Sequence, residues 1–304
     1  MPPPLSYPAL KLVLEYLEAK KRYHITSRNS ALQKIDKIIP LHVRDLEIWS
    51  DCVYVDNLSY ATGFQHLFSS WETDEELQEL LKIHEAKEEL VKKYLEARPN
   101  ILVNCVGFYY VKSYKQVPVK LNLITNTLVT IGCSNFSNLL PIIDSRSCPL
   151  KKLKLFQDRL IYVDHPVVNT TEDVIFQFDG ENELIKGIEK LHRKKLSIHN
   201  VGYENVDAVK IIKDWIKNGR EIGTEYLLSF SFDFWMRRML RDLKNEFDEF
   251  ENDLEGINVR FLDREPRFLI PMSPTSKIII YGTEIQSKNG TVYQLVLKVV
   301  STDE

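Results

Sequence analysis

Three features of the sequence predict a mixed α/β fold. Short runs with period-two alternation, such as Lys152-Leu153-Lys154-Leu155, recur along the chain and read as strands. Between them lie stretches with apolar residues at i, i+3, i+4 and i+7, which read as amphipathic helices. The order strand, helix, strand, helix over 194–250 marks an α/β unit with parallel strands. Together these predict a helical segment over 1–41 and one α/β domain over 42–304. That domain reads as a degenerate α/β repeat with a curved, mixed, mostly parallel sheet and a C-terminal β-hairpin.

The first helix opens at Pro8, whose fixed φ suits an initial helical position. Leu10, Val13, Leu14 and Leu17 form its apolar face, and Glu18 to Arg22 are expected to end it, with cations where the macrodipole favours them. Ser30 is the expected N-cap of a second helix carrying Leu32, Ile35 and Ile39, and Pro40 stops it. Val43 to Trp49 and Cys52 to Val55 read as strands around a turn at Ser50-Asp51. Thr73 and Glu76 form a capping box that opens a long helix over 73–97. Between Glu72 and Arg98 there are nine acids and five bases, a net of −4, which reads as a solvated face with i, i+4 pairs; His84 falls in its apolar stripe.

Ile101 to Tyr110, Val119 to Leu123 and Leu128 to Ile131 are strand-like. The lysine-led pieces at 119–123, 151–155 and 194–199 echo one another, but their spacings of 32 and 43 residues are too unequal for a regular solenoid. Alternation points Leu121, Leu123, Leu153, Leu155, Leu196 and Ile198 inward. Lys152, Lys154, Lys195, Ser197 and His199 then face outward as a mildly basic surface. Asn205 is the expected cap of a helix over 206–218 with Val206, Val209, Ile212 and Ile216 on one face and Gly219 closing it. A further helix opens at Ser231 or Asp233 and aligns Met236, Met239 or Leu240, Leu243 and Phe247. Asn289-Gly290 signals a hairpin pairing 278–285 with 292–299.

Composition narrows the function. At 44% hydrophobic the chain can bury a core, and a net charge of −3 argues against a general nucleic-acid or membrane-surface binder. No apolar run reaches the length of a membrane span, and Met-Pro-Pro-Pro does not open a secretory signal. The four cysteines contain no Cys-x-x-Cys pair and read as reduced thiols, which points to the cytoplasm or nucleus. No phosphate loop, nucleophile elbow or zinc spacing is present, and with eleven glycines a glycine-rich cradle is not expected. The residues therefore point to no enzyme, cofactor or metal. Lys20-Lys21-Arg22 and Arg193-Lys194-Lys195 read as a helix end and a strand entry.

The segment Leu5-Ser6-Tyr7-Pro8, followed by Val13-Leu14-Glu15-Tyr16-Leu17, resembles an F-box. With Ser27 to Leu41, Pro149 to Leu153, Glu221 to Thr224 and Phe268-x-Ile270-Pro271, nearly the whole chain is similar to a large nematode-expanded family of uncharacterised F-box-associated proteins of the F-box C type. The resemblance implies a non-enzymatic substrate-recognition subunit of a cullin-type ubiquitin ligase. Leu5, Pro8, Leu10, Val13, Leu14 and Leu17 would dock a Skp-type adaptor. The α/β domain would hold a target protein, with Lys152, Lys154 and Lys195 as the expected target-binding residues. The alternative is a protein-binding or scaffold domain that has lost adaptor binding.

Overall fold

In a computed structural model the described residues are 6–49, 52–56, 58–61, 95–96, 98–117, 121–133, 135–156, 165–178, 188–202, 206–247, 254, 261–262, 265–287 and 290–303. The chain is mixed α/β and forms two compact units, Met1–Leu150 and Lys151–Glu304. The helix expected over 73–97, with its capping box and His84, lies outside the described residues apart from 95–96. Leu5, Asn205 and Asn289 lie outside them as well.

The first unit begins with α1 (Tyr7–Tyr16), α2 (Ala19–Thr26) and α3 (Ser30–Ile38). Pro8 does open α1, but the chain turns extended at Leu17 and Glu18 and starts a new helix at Ala19. The expectation that Glu18–Arg22 ends a helix is therefore corrected. The break turns Arg22 inward, where it is fully buried. The cap of α3 is Asn29 rather than Ser30, its Oδ1 accepting from the Ala31 and Leu32 amides at 2.9 and 3.2 Å. A carboxamide one residue earlier reaches two orphan donors at once.

Five strands follow: β1 (Leu41–Trp49), β2 (Cys52–Val55), β3 (Leu58–Ala61), β4 (Ile101–Tyr109) and β5 (Leu123–Ile131). They lie in the order β5-β4-β1-β2-β3, with β1, β4 and β5 parallel and β2 and β3 antiparallel. Residues 119 and 120 lie outside the described residues, and the pieces expected at 119–123 and 128–131 are joined from Leu123 on as one nine-residue strand that pairs with β4. Leu121 and Leu123 are buried as the alternation requires.

The second unit contains β6 (Lys152–Phe156), α4 (Pro166–Thr170), β7 (Asp173–Gln177), β8 (Lys195–His199), α5 (Ala208–Asn218), β9 (Glu225–Phe230), α6 (Asp233–Glu246), β10 (Phe268–Ser273), β11 (Ser276–Ser287) and β12 (Gly290–Ser301). Its order is β10-β11-β12-β9-β8-β7-β6, parallel from β6 to β9 and antiparallel from β9 outward. Ile278 pairs with Val299 and Ile285 with Val292, the hairpin the sequence predicts. Met236, Met239, Leu240 and Leu243 of α6 are buried. On α5 the buried stripe is Ala208, Ile211, Ile212 and Trp215, capped by Asp207, while Ile216 is exposed. The expected stripe is thus rotated. Trp215 is fully buried, its ring 4.8 Å from Tyr226 at 81°, and this large side chain sets the helix's rotation.

Candidate functional site

The residues expected at an adaptor surface divide on α1. Leu14 is 2% exposed and faces α3 and β1, against which the helix packs. Leu10 and Leu17 are half-buried, and Pro8 and Val13 are exposed. The outer side carries a second apolar stripe that the sequence reading missed. Ala9, Leu12, Val13 and Tyr16 also recur at i, i+3, i+4 and i+7, and Leu12, Val13 and Tyr16 are 59%, 44% and 82% exposed. The signal was present: a helix apolar on two sides has one face for the fold and one left over.

A buried cluster ties these helices to the first unit. Arg22 donates through Nε to Asp36 Oδ1, through Nη1 to the Pro40 carbonyl at 2.6 Å, and through Nη2 to the carbonyls of Asp36 and Ile39, each at 2.9 Å. Arg98, just before β4, donates through Nη2 to Asp36 Oδ2 and through Nη1 to the Asp36 carbonyl at 2.9 Å. Each carboxylate oxygen of Asp36 therefore holds one guanidinium. The carbonyls at the C-terminal end of α3, orphans of the helix ladder, take up remaining donors where the macrodipole favours cations.

In the second unit, β6 and β8 share a face, but β7 lies between them. The register aligns Lys152, Asp173, Lys195 and Glu225 in one row, so charges alternate across it. Lys152 pairs with Asp173 at 3.1 Å, Lys154 Nζ lies 4.6 Å from the centre of the Phe156 ring, and Lys195 is exposed. Leu153, Leu155, Leu196 and Ile198 fill the opposite, buried face. His199 shares the lysine face, and its pKa is lowered by burial and then by Lys154 and Lys152. Arg193, read from sequence as part of a strand entry, is buried and donates to the Val168 carbonyl of α4.

A cavity of about 540 Å³ opens beside His192, Arg193, Lys194, Arg220 and Glu221. Arg220 is committed there to Asp214 at 2.7 Å and the Glu189 carbonyl at 2.9 Å. Cys133 is a buried thiol 3.5 Å from the Phe108 carbonyl, and burial raises its pKa. Among the described residues no three His, Cys, Asp or Glu side chains gather as metal ligands, and no helix is long and apolar enough to cross a membrane.

Comparison with curated proteins finds no match, and comparison with solved structures finds none either. One family model does match. It spans β4 through β9, leaving α1–α3 and the C-terminal hairpin outside it: residues 82–232 match the family described as Domain of unknown function (DUF3557).

Proposed function

We propose that this protein is a non-enzymatic substrate-recognition subunit of a cullin-type ubiquitin ligase, of the F-box-associated kind that its N-terminal sequence resembles. The N-terminal helices would engage a Skp-type adaptor and the α/β units a target protein, in the cytoplasm or nucleus. The observation that carries the reading is the unpartnered outer stripe of α1, Leu12, Val13 and Tyr16, beside exposed Pro8. Leu14 holds the helix in place, and Leu10 and Leu17 flank the contact. Rate enhancement would come from proximity, by holding a target lysine near a charged conjugating enzyme. Lys152, Lys154 and Lys195 would favour an acidic segment of the target.

The test is complex formation between the purified chain and a purified Skp-type adaptor, followed by size-exclusion chromatography. Leu12→Asp with Val13→Asp should abolish co-elution while leaving circular dichroism unchanged, since both side chains lie at the surface. Leu14→Ala should instead destabilise the first unit, by about 2–5 kcal/mol for a buried leucine. If the unsubstituted chain never retains the adaptor, the reading fails. A second reading, a protein-binding or scaffold domain without adaptor affinity, is favoured by the Arg22–Asp36–Arg98 cluster, which makes the helices part of the first unit's core. Absence of adaptor binding together with retained target capture would establish it.

A further inference from the structure

The carboxyl ends of the parallel strands in the first unit carry an aromatic platform that the adaptor reading does not use. Trp49, Tyr109 and Ile131 are the last residues of β1, β4 and β5 and align in register. The Trp49 and Tyr109 rings stack with centroids 4.5 Å apart and planes within 8°. Tyr54 of β2 meets Trp49 edge-on at 6.3 Å, and Tyr110 lies 6.0 Å from it. In open α/β sheets the carboxyl ends of parallel strands are where ligands are usually held.

The backbone is shaped to place these rings. Tyr110 has φ +58, the left-handed region that L side chains rarely adopt, and its amide donates to the Ile131 carbonyl at 2.7 Å. Its ring covers Gly132, where an added Cβ would stand 2.4 Å from Tyr110 Cδ1. The Tyr109 ring likewise covers Gly107, where a Cβ would stand 2.6 Å from Cε2. So two glycines and one strained tyrosine make room for a stacked aromatic cluster at the strand ends, with Tyr110 its exposed ring. Strained residues of this kind collect at functional sites. Tyr110 remains 59% exposed.

The platform has a negative margin. Glu47 lies two residues before Trp49 on the same side of β1, and Trp49 Nε1 donates to its Oε2 over 3.5 Å. Among the described residues that long contact is the one hydrogen bond of the carboxylate, and none of them pairs it with a cation. Asp45 stands further back, with Arg44 at 3.1 Å. The Tyr109 phenol is pushed up to about 12 by burial and then by Glu47, Cys105 and Asp45.

From this arrangement we infer that Trp49, Tyr109 and Tyr110, with Glu47 at their edge, form a site for an arginine side chain of a partner polypeptide. Aromatic faces attract cations, and a planar guanidinium both stacks on a ring and meets a carboxylate through two N–H groups, which a lysine ammonium cannot do. The inference rests on reading the chain as a target-binding protein. Its test needs no adaptor, so failure of either claim is seen separately.

The test titrates the full chain with the peptide acetyl-Gly-Gly-Arg-Gly-Gly-amide at millimolar concentration, following the Trp49 indole N–H by NMR after its assignment with Trp49→Phe. The arginine peptide should shift that resonance, and the peptide with neutral citrulline in its place should not. Tyr110→Ala and Glu47→Gln should each weaken binding between about 2-fold and 30-fold. Glu47→Gln keeps the size and the indole acceptor, so it tests charge without disturbing the strand. An unmoved Trp49 signal, equal shifts from the citrulline peptide, or equal affinity for the lysine peptide would overturn the assignment.

Discussion

Replacing Asp36 by asparagine removes the negative charge that, among the described residues, lies between two buried guanidiniums. The side chains of Arg22, Arg98 and Asp36 are 0%, 1% and 4% exposed, so water cannot take over the lost partner. Two charge-assisted hydrogen bonds are lost or weakened, at about 1.5–3 kcal/mol each. Breaking a buried ion pair by removing one partner costs about 3–5 kcal/mol by the behaviour of other buried pairs. The two routes agree, and we expect the first unit to lose about 3–5 kcal/mol. By contrast the exposed pair Lys21–Glu18, with side chains 67% and 70% exposed, should contribute less than about 1 kcal/mol. Hydrogen exchange read by mass spectrometry reports opening of β1 and β4 separately from β6 to β9, which a single melting curve would not. A loss below about 1 kcal/mol in β1 and β4, or an equal loss in β6 to β9, would refute the reasoning.

His199 should titrate below its ordinary value of 6.5, because burial, Lys154 and Lys152 all disfavour its cation. The unfolded chain then binds more protons just below pH 6.5, so stability falls as pH drops through 6.5 and levels off below the folded pKa. His165, lowered by burial, acts in the same direction. Lys152→Gln with Lys154→Gln should raise the His199 titration midpoint, followed by ring-proton NMR; an unchanged midpoint would remove the lysines as its cause. Gly132→Ala should destabilise the first unit by about 1–3 kcal/mol, since it adds a clash with the Tyr110 ring to a φ of +62. Gly219→Ala meets no neighbour but lies at φ +71 and ψ 162, a region essentially restricted to glycine, and should cost about 1–3 kcal/mol in parallel urea melts.

The sequence revealed what is local. Alternation placed Leu153, Leu155, Leu196 and Ile198 in the core, and the 3.6-residue period found the buried residues of α6. It failed where a distant residue decides. Arg22 reads as a helix-end cation until Asp36, fourteen residues on, and Arg98, sixty-two residues beyond Asp36, close the cluster. Strand β7 went unread because Val174-Ile175-Phe176 is buried in succession, without the alternation that marks a half-exposed strand. The rotation of α5 followed Trp215, which a count of aliphatic positions overlooks. On α1 both apolar stripes were legible, but only packing decided that Leu14 faces the core and Leu12 and Tyr16 the solvent. The aromatic platform left its trace in Gly107-Phe108-Tyr109-Tyr110 and Gly132, yet Trp49 joins it through parallel pairing across a long chain separation.

The placement of β12 beside β9 has a consequence in time. Tyr293 to Lys298 bond to Phe230 through Glu225, so one edge of β9 is closed by the last strand of the chain. On a ribosome adding about 5–20 residues per second, the roughly sixty residues between Phe230 and Gly290 take about 3–12 s to emerge. Throughout that interval β9 presents an open row of amides and carbonyls, flanked by the buried side chains of Tyr226, Leu228 and Phe230. Helix α6, made next and packed against β9, shields side chains but cannot bond that edge. Slow translation or a stop between residues 246 and 290 therefore prolongs the exposure of that edge.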